Sequence, residues 1–377
     1  MRPIALPLLF SSLLLAAGCR GRSTEQPPNA PATAQERAPA IVLREDIFVS
    51  APFARCHAST IAETGSGLIA AWFGGTAEGN PDVGIWLSRR EGSAWSAPVE
   101  VASGRRVTDG SGGQPCWNPV LFNPAGGPLL LFYKMGPDPS RWHGMMMSST
   151  DDGRTWTEPR SLPDGILGPV KSHPLEFPDG TILCGSSTEE DGWSVHFEMT
   201  KDKGVTWQRT PPINDGRDIG LIQPALLQTG GDGVVVLMRS PAGHIYSSRS
   251  ADRGSTWSPP EPLDVPNPNS GIDAVTLRDG RHVLAFNPVP EGRTPLAVSL
   301  SSDGRKWTQV LTLEDEKGAG VLLSGGHPVQ GRTRPRHVYL ETPEDQARRH
   351  RPGPSVEKGD GPVFCSKKQD RPLFPSA

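Results

Sequence analysis

The sequence predicts an all-β protein built from many short strands, and three observations support this class. Only 35% of the 377 residues are hydrophobic, too few for a helix-rich interior or a multi-span membrane protein. The 43 glycines and 40 prolines separate short apolar runs as turns do. A short unit recurs about every fifty residues, a period typical of repeat architectures. The formal net charge of -3 argues against a nucleic-acid-binding protein, which would show a basic excess.

The first residues predict export and a lipid anchor. Residues 1–19 combine Arg2, an apolar stretch and small side chains that end at Cys19. This ending resembles the lipobox of bacterial lipoproteins, which implies acylation of Cys19; an ordinary cleaved signal peptide is the alternative. Residues 20–42 contain few large apolar side chains and are predicted to form a disordered linker. We therefore expect an exported lipoprotein, held to a bacterial membrane by its anchor alone, in the periplasm or on the cell surface.

The repeat is a turn unit with an aspartate, a glycine and a tryptophan. Three full copies end at Trp156, Trp207 and Trp257, a shortened copy ends at Trp307, and a degenerate copy ends at Trp95. The aspartate can cap its own turn, the glycine can adopt the left-handed conformation, and the tryptophan can pack the hairpin onto the sheet. These residues are therefore predicted to be structural.

This unit resembles the Asp-box (BNR repeat) of the sialidase-like β-propellers, and the resemblance covers residues 43–320. It implies a six-bladed propeller whose last blade is incomplete, because five predicted inner strands alternate with five Asp-box hairpins. The inner strands are predicted to begin at His57, Asn118, His173, Gln223 and Ser270. Proline follows several of these starts, and a blade's first strand tolerates proline because it is an edge strand.

Residues 321–377 depart from the repeat at the place where a sixth inner strand is due. They are rich in Arg, Pro and Gln and show little strand alternation. Codons can be chosen for Val321 to His350 so that the neighbouring frame encodes a Tyr-Pro dipeptide, an apolar run and an alternating strand. We therefore predict that this segment is an aberrant tail produced by a frameshift; a natural divergent tail is the alternative.

Chemistry is expected where the inner strands of a propeller converge, because their first polar residues form a ring at one mouth of the channel. The predicted ring consists of His57, Asn118, Lys171, His173, Gln223, Asn269 and Asp273. Taken alone, each of these residues is equally consistent with a polar side chain that only contacts water in the channel.

The resemblance to sialidases assigns roles to several residues. That family holds the substrate carboxylate with three arginines, whose planar guanidinium groups match a carboxylate. Arg239 and Arg293 match the second and third of these arginines, whereas His57 stands in place of the first. Asp82 matches the acid/base aspartate. Gln223 stands near the position of the glutamate that assists the family's tyrosine nucleophile, and that tyrosine is expected only in the shifted frame.

The predicted function is exo-acting glycoside hydrolysis at an acidic sugar such as sialic or uronic acid, with an acidic glycan as partner. Asp82 is the predicted acid, His57 and His173 position or activate the substrate, and the remaining substrate-binding residues are Arg239, Arg293, Asn118, Lys171, Gln223, Asn269 and Asp273. A polysaccharide lyase and a non-catalytic glycan-binding propeller are the alternatives, since fold does not fix function. We expect a monomer with neither cofactor nor metal.

Overall fold

The structure is a computed structural model that describes residues 40–106, 113–315, 335–341 and 363–367. Within these ranges the chain forms strands, turns and one short 3-10 helix, Gly104–Arg106, so the all-β prediction is confirmed. No helix in these ranges has the length and hydropathy to cross a membrane. The predicted signal segment with Cys19, and the linker up to residue 39, lie outside the described residues.

The described strands form six antiparallel sheets, of which five are the blades of a β-propeller. Strand β1 (Ala40–Asp46) precedes the blades. Blade 1 contains β2 (Arg55–Thr64), β3 (Gly67–Gly75), β4 (Gly84–Glu91), β5 (Ala94–Trp95) and β6 (Val99–Ser103). Blade 2 contains β7 (Cys116–Phe122), β8 (Leu129–Met135), β9 (His143–Ser149) and β10 (Arg160–Ser161). Blade 3 contains β11 (Leu175–Glu176), β12 (Ile182–Thr188), β13 (Ser194–Thr200) and β14 (Gln208–Arg209). Blade 4 contains β15 (Ile222–Gln228), β16 (Val234–Arg239), β17 (His244–Ser250) and β18 (Glu261–Pro266). Blade 5 contains β19 (Asp273–Thr276), β20 (His282–Phe286), β21 (Leu296–Ser301) and β22 (Thr308–Glu314). Strands β23 (Pro335–Glu341) and β24 (Val363–Lys367) follow the blades.

The Asp-box turns have the predicted construction. In blade 3 both carboxylate oxygens of Asp202 accept bonds from Thr206, at 2.8 Å from its N–H and 2.6 Å from its hydroxyl. Gly204 has a φ of 94° and donates its N–H to the hydroxyl of Thr200. Lys203, just before the glycine, is also left-handed, with a φ of 57°. A side chain at this position is tolerated because the network of the turn fixes the backbone.

The hydrophobic core lies between neighbouring blades. The indole of Trp207 in blade 3 contacts Phe132 of blade 2 edge-on, with ring centroids 6.1 Å apart. Trp307 of blade 5 packs against a buried cluster that includes Leu237 of blade 4. The Asp-box tryptophans therefore join each blade to the preceding blade, and not only to their own sheet as predicted.

Three inner strands share a β-bulge at the place where they start. The pairing of β2 with β3, of β7 with β8 and of β15 with β16 slips by one residue there. Ala58, Asn118 and Gln223 occupy these bulges with left-handed φ values of 51°, 40° and 53°. A bulge breaks the hydrogen-bond ladder locally, so Pro119 and Pro224 can follow without losing a ladder bond. The register therefore aligns Ala58, rather than His57, with Asn118 and Gln223.

A sixth, three-stranded sheet lies between blade 5 and blade 1; we call it the closing sheet. It has the order β1-β23-β24, and β24 contacts the inner strand β2 of blade 1. Arg44 of β1 is 3.4 Å from the carboxylate of Glu314 in blade 5. Glu45 of β1 accepts a hydrogen bond from the indole N–H of Trp95 in blade 1. Residues 40–42 therefore begin a strand and do not extend the predicted linker.

Two strands of the closing sheet come from the tail, in which the sequence predicted little strand structure. They contain β-branched and aromatic side chains, Val338, Tyr339, Val363 and Phe364, which favour strands. They also pair the otherwise open edge of β1, and an unpaired edge is a liability. Five blades are thus described; six blades and the frameshift stay predictions.

Candidate functional site

Contacts across the propeller axis bring several predicted ring residues together. Lys171, from the buried loop before blade 3, donates a 3.0 Å hydrogen bond to the carbonyl of Ile272 at the start of blade 5. His173, two residues later, lies 2.8 Å through Nε2 from the carbonyl of Ile61 in blade 1. Because these partners belong to different blades, the loop before blade 3 reaches across the centre of the molecule.

Arg239, at the end of β16, is fixed by its neighbours. Its Nε donates to Asn269 Oδ1 at 2.9 Å and its Nη1 donates to Gln223 Oε1 at 3.1 Å. The guanidinium carbon lies 5.9 Å from the ring centroid of Trp193. The side chain is 8% exposed. Burial, followed by the charge of Arg293, lowers the pKa of Arg239 to about 10, and Glu189 opposes the shift.

A second arginine faces the same site. Burial lowers the pKa of Arg293, and the carboxylate of Glu78 opposes this. Its Nη1 is buried, and no described group accepts a hydrogen bond from it. The Asn287 amide holds the backbone of this residue by donating to its carbonyl at 2.9 Å.

Lys171 adds a third cation. Burial lowers its pKa, Asp273 opposes the shift, and the charge of Arg239 adds to it. Lys171 and Arg239 are buried and Arg293 is half-buried; Arg293 disfavours the charge of Arg239, and Arg239 disfavours that of Lys171. An anion at their centre would stabilise all three charges. The arrangement can therefore bind a carboxylate.

The best-placed carboxylate of the site is Glu78, which the sequence analysis missed. Its Oε2 lies 2.9 Å from Nδ1 of His57, and 40% of its side chain is exposed, against 7% for the histidine. It belongs to the loop between β3 and β4, four residues before Asp82. A signal was present in the sequence, because Glu78 opens the loop segment that carries the predicted acid.

The carboxylate of Asp82, in the same loop, accepts two hydrogen bonds. Its two carboxylate oxygens accept bonds from the N–H and the hydroxyl of Thr76, at 2.9 Å and 2.8 Å. Its carbonyl accepts a bond from Arg105. These contacts fix the loop that carries Glu78, and the role of Asp82 as the acid stays a prediction.

The remaining predicted residues lie at the expected strand starts. Asn118 occupies the bulge of β7, and none of its described side-chain contacts reaches the arginines. Asp273 is the first residue of β19.

Trp193 and Glu189 lie on the hairpin between β12 and β13. The sequence did not predict them as site residues, because no repeat marks that hairpin. Within the described ranges, no group of three or more His, Cys, Asp or Glu side chains could hold a metal ion.

Two tyrosines have described side chains, and both pack in the blades. Tyr133 is 2% exposed in the core of blades 1 and 2, and burial raises its pKa. Tyr246 lies in β17, the third strand of its blade, and packs against a buried cluster. The third tyrosine of the chain, Tyr339, belongs to β23.

The fold and the cationic site define a sialidase-like β-propeller. The sequence matches the BNR repeat-like domain family over residues 66–346, and the chain belongs to that family. No curated protein matches the sequence.

Solved structures share the fold at low identity. A Dyadobacter fermentans protein of unknown function has a TM-score of 0.62 at 17% identity, over 89% of this chain and 100% of that chain. A Hadza microbial sialidase has a TM-score of 0.62 at 18% identity, over 76% of this chain and 62% of that chain. A mutant of the NanB sialidase of Streptococcus pneumoniae has a TM-score of 0.61 at 11% identity, over 88% of this chain and 70% of that chain.

Proposed function

We propose that the protein is an exo-acting glycoside hydrolase that releases a terminal acidic sugar, of the sialic or uronic acid class. One observation carries this proposal: the buried Arg239 and Lys171 and the half-buried Arg293 bring three basic side chains together. A planar guanidinium matches a carboxylate in shape and charge. A similar fold, that of a leech intramolecular trans-sialidase, has been solved with 2,7-anhydro-Neu5Ac, a sialic acid derivative.

In this proposal Glu78 replaces Asp82 as the acid. Glu78 is exposed enough to touch a substrate, and His57 behind it can share a proton through the 2.9 Å contact. The carboxyl group of Glu78 gives its proton to the glycosidic oxygen while the bond to the sugar breaks. Water then adds to the sugar carbon and gives its proton to the Glu78 carboxylate, which restores the acid. The arginines hold the sugar carboxylate throughout.

A uronate lyase is the second candidate, and the His57–Glu78 contact favours it. A lyase removes a proton α to a carboxylate and returns one to the leaving oxygen, which a single proton-sharing pair can do. It needs no tyrosine. Guanidinium groups beside the carboxylate would stabilise the negative charge that develops after proton removal.

Product chemistry tests these proposals. The protein is incubated with a fluorogenic sialoside, a fluorogenic glucuronide and a uronate polysaccharide, and both fluorescence and ultraviolet absorbance are followed. Fluorophore release supports hydrolysis, whereas an ultraviolet-absorbing unsaturated uronate without hydrolysis supports the lyase. Binding of these glycans without turnover would leave a glycan-binding propeller and overturn both enzymatic proposals.

We also propose that Cys19 carries a lipid that tethers the protein to a bacterial membrane. The support is the lipobox-like sequence alone. Cys19→Ser should release the protein from the membrane fraction of cells that express it. Continued sedimentation of the variant with membranes would contradict the anchor.

A further inference from the structure

The groups that hold Arg239 are all uncharged. Asn269 and Gln223 accept hydrogen bonds from Nε and Nη1 through amide oxygens, and Trp193 lies against the guanidinium. Arginines buried in proteins are more often paired with carboxylates, which match their charge. Here no carboxylate forms a hydrogen bond with Arg239, so its guanidinium group can bind an anionic ligand.

The two amide residues have left-handed backbones. Gln223 has a φ of 53° and Asn269 has a φ of 56°. Such values are uncommon for side chains other than glycine and persist only where the surrounding structure imposes them. Of the other left-handed side chains in the described ranges, Asp152, Lys203 and Arg253 belong to Asp-box turns, and Ala58 and Asn118 occupy in β2 and β7 the bulge that Gln223 occupies in β15. The bulge accounts for the backbone of Gln223, and the contact with Arg239 distinguishes Gln223 from Ala58 and Asn118.

The free edge of the guanidinium has a defined direction. Asn269 takes the hydrogen of Nε and Gln223 takes one hydrogen of Nη1, so the second hydrogen of Nη1 and both hydrogens of Nη2 remain. No hydrogen bond from Nη2 to a described residue is formed. The charged groups that influence this region are the cations Arg293 and Lys171 and the anions Glu189, Asp273 and Glu78.

We propose that Gln223 and Asn269 are positioning residues that turn the Nη1–Nη2 edge of Arg239 toward the channel, where it receives the ligand carboxylate end-on. Their neutrality is essential, because a carboxylate at either position would pair with Arg239 and compete with the ligand. This inference rests on the proposed function and narrows its ligand to a sugar whose planar carboxylate can approach that edge.

The test compares charge with shape at one position. Gln223→Glu adds a negative charge beside Arg239 with little change in shape, whereas Gln223→Met removes the amide without adding charge. Gln208→Glu, in the exposed strand β14, is the matched control. Binding of N-acetylneuraminic acid, glucuronic acid, glucose and inorganic sulfate is measured at pH 7, together with the melting temperature.

We expect Gln223→Glu to bind both acidic sugars about tenfold more weakly or worse, the scale of a lost charge-assisted hydrogen bond. We expect Gln223→Met to lose less, and Gln208→Glu to bind as the wild type does. Glucose should bind equally to all forms. The melting temperature of Gln223→Glu should not fall, because the new carboxylate pairs with Arg239 amid three cations. A residue with only a structural role would not separate binding from stability in this way.

Three outcomes separate this inference from the proposed function. If the wild type binds acidic sugars and Gln223→Glu binds them equally, or Gln223→Met loses as much as Gln223→Glu, the inference is overturned and the function stands. If the wild type binds no acidic sugar but Gln223→Glu alone weakens sulfate binding, the function fails and the orientation of Arg239 is supported. If neither acidic sugars nor sulfate depend on residue 223, the inference fails as well. Asn269→Asp repeats the test should Gln223→Glu not fold.

Discussion

The indole of Trp257 lies parallel to the phenyl ring of Phe197, with the ring centroids 3.8 Å apart and the planes inclined by 14°. Trp257 belongs to the Asp-box of blade 4, whereas Phe197 belongs to β13 of blade 3. The Nε1 of Trp257 also donates to the carbonyl of Gly254 at 2.9 Å, which fixes the ring. The contact therefore joins a turn to the neighbouring blade.

Trp257→Ala should lower the free energy of unfolding by about 3 kcal/mol, because it removes a large aromatic contact between blades. Urea unfolding followed by circular dichroism measures the change. Val205→Ala, in the Asp-box of blade 3 but 66% exposed, is the control and should change stability by less than about 0.5 kcal/mol. Equal effects for the two variants would show that the stacked pair contributes nothing particular.

The Asp-box carboxylates should make stability depend on acid pH. The pKa of Asp202 falls from 3.8 to about 2, because the hydroxyl and then the N–H of Thr206 donate to it. A lowered folded-state pKa means that the stabilisation is complete above pH 3.8 and is lost as the pH falls through about 2. Asp202→Asn should flatten the pH dependence of the urea midpoint in this window. Asp191→Asn, an exposed residue outside the repeat, should leave the dependence unchanged, and a matching loss there would argue against the assignment.

Glu78 and Asp82 should respond differently to loss of charge. Glu78→Gln should reduce kcat strongly with little change in KM, because it removes the proposed proton donor. Asp82→Asn should mainly lower stability, by about 1 kcal/mol, since it weakens the hydrogen bonds with Thr76. Steady-state kinetics and thermal melting of both variants measure these effects. A loss of kcat confined to Asp82→Asn would return the acid role to Asp82.

Arg239→Lys and Arg293→Lys should each weaken binding of an acidic sugar by about 1–3 kcal/mol, because a point charge replaces a planar fork. Neutral sugars should bind as before. Calorimetric titration with glucuronic acid and glucose separates the two effects, and Arg209→Lys on the exposed strand β14 is the control. Similar losses for acidic and neutral sugars would mean that the two arginines are structural.

Deletion of residues 321–377 should lower the melting temperature, because it removes β23 and β24 and leaves the edge of β1 unpaired. Deletion of residues 368–377 alone, beyond β24, is the control. The frameshift hypothesis adds a second comparison: a chain in which the neighbouring frame is restored from codon 321 should melt higher still. If the present chain melts as high as the restored one, the tail is a natural part of the fold.

The repeat predicted much of the fold, because each Asp-box is a local device whose hydrogen bonds lie within a few residues. Asp202 and Thr206 are four residues apart, so a single sequence shows both partners. The propeller and its inner strands followed from that period, whereas Arg239 was assigned from the resemblance to sialidases. The pairing of β1 with β23 did not, because it joins distant segments that share no motif.

The contacts of the loop between β3 and β4 were predicted only in part. Asp82 and Glu78 belong to this loop, and the resemblance pointed to the aspartate. The hydrogen bonds between Asp82 and Thr76 and the contact between Glu78 and His57 depend on how the loop folds, so the sequence did not show them. Trp193 lies in a hairpin with no repeat, so its approach to Arg239 could not be inferred from spacing.

The pairing of Ala40 with Glu341 determines when the ring can be completed. Both ends of the described chain meet in this sheet, so β1 must wait for its partner until nearly all of the protein has been synthesised. Contacts between such distant segments slow folding, because a large loop must close before they form. Until then the five blades are an open array, exposed to proteases at one seam. Completion of the ring is therefore expected to be the last step of folding and the first to be reversed during unfolding.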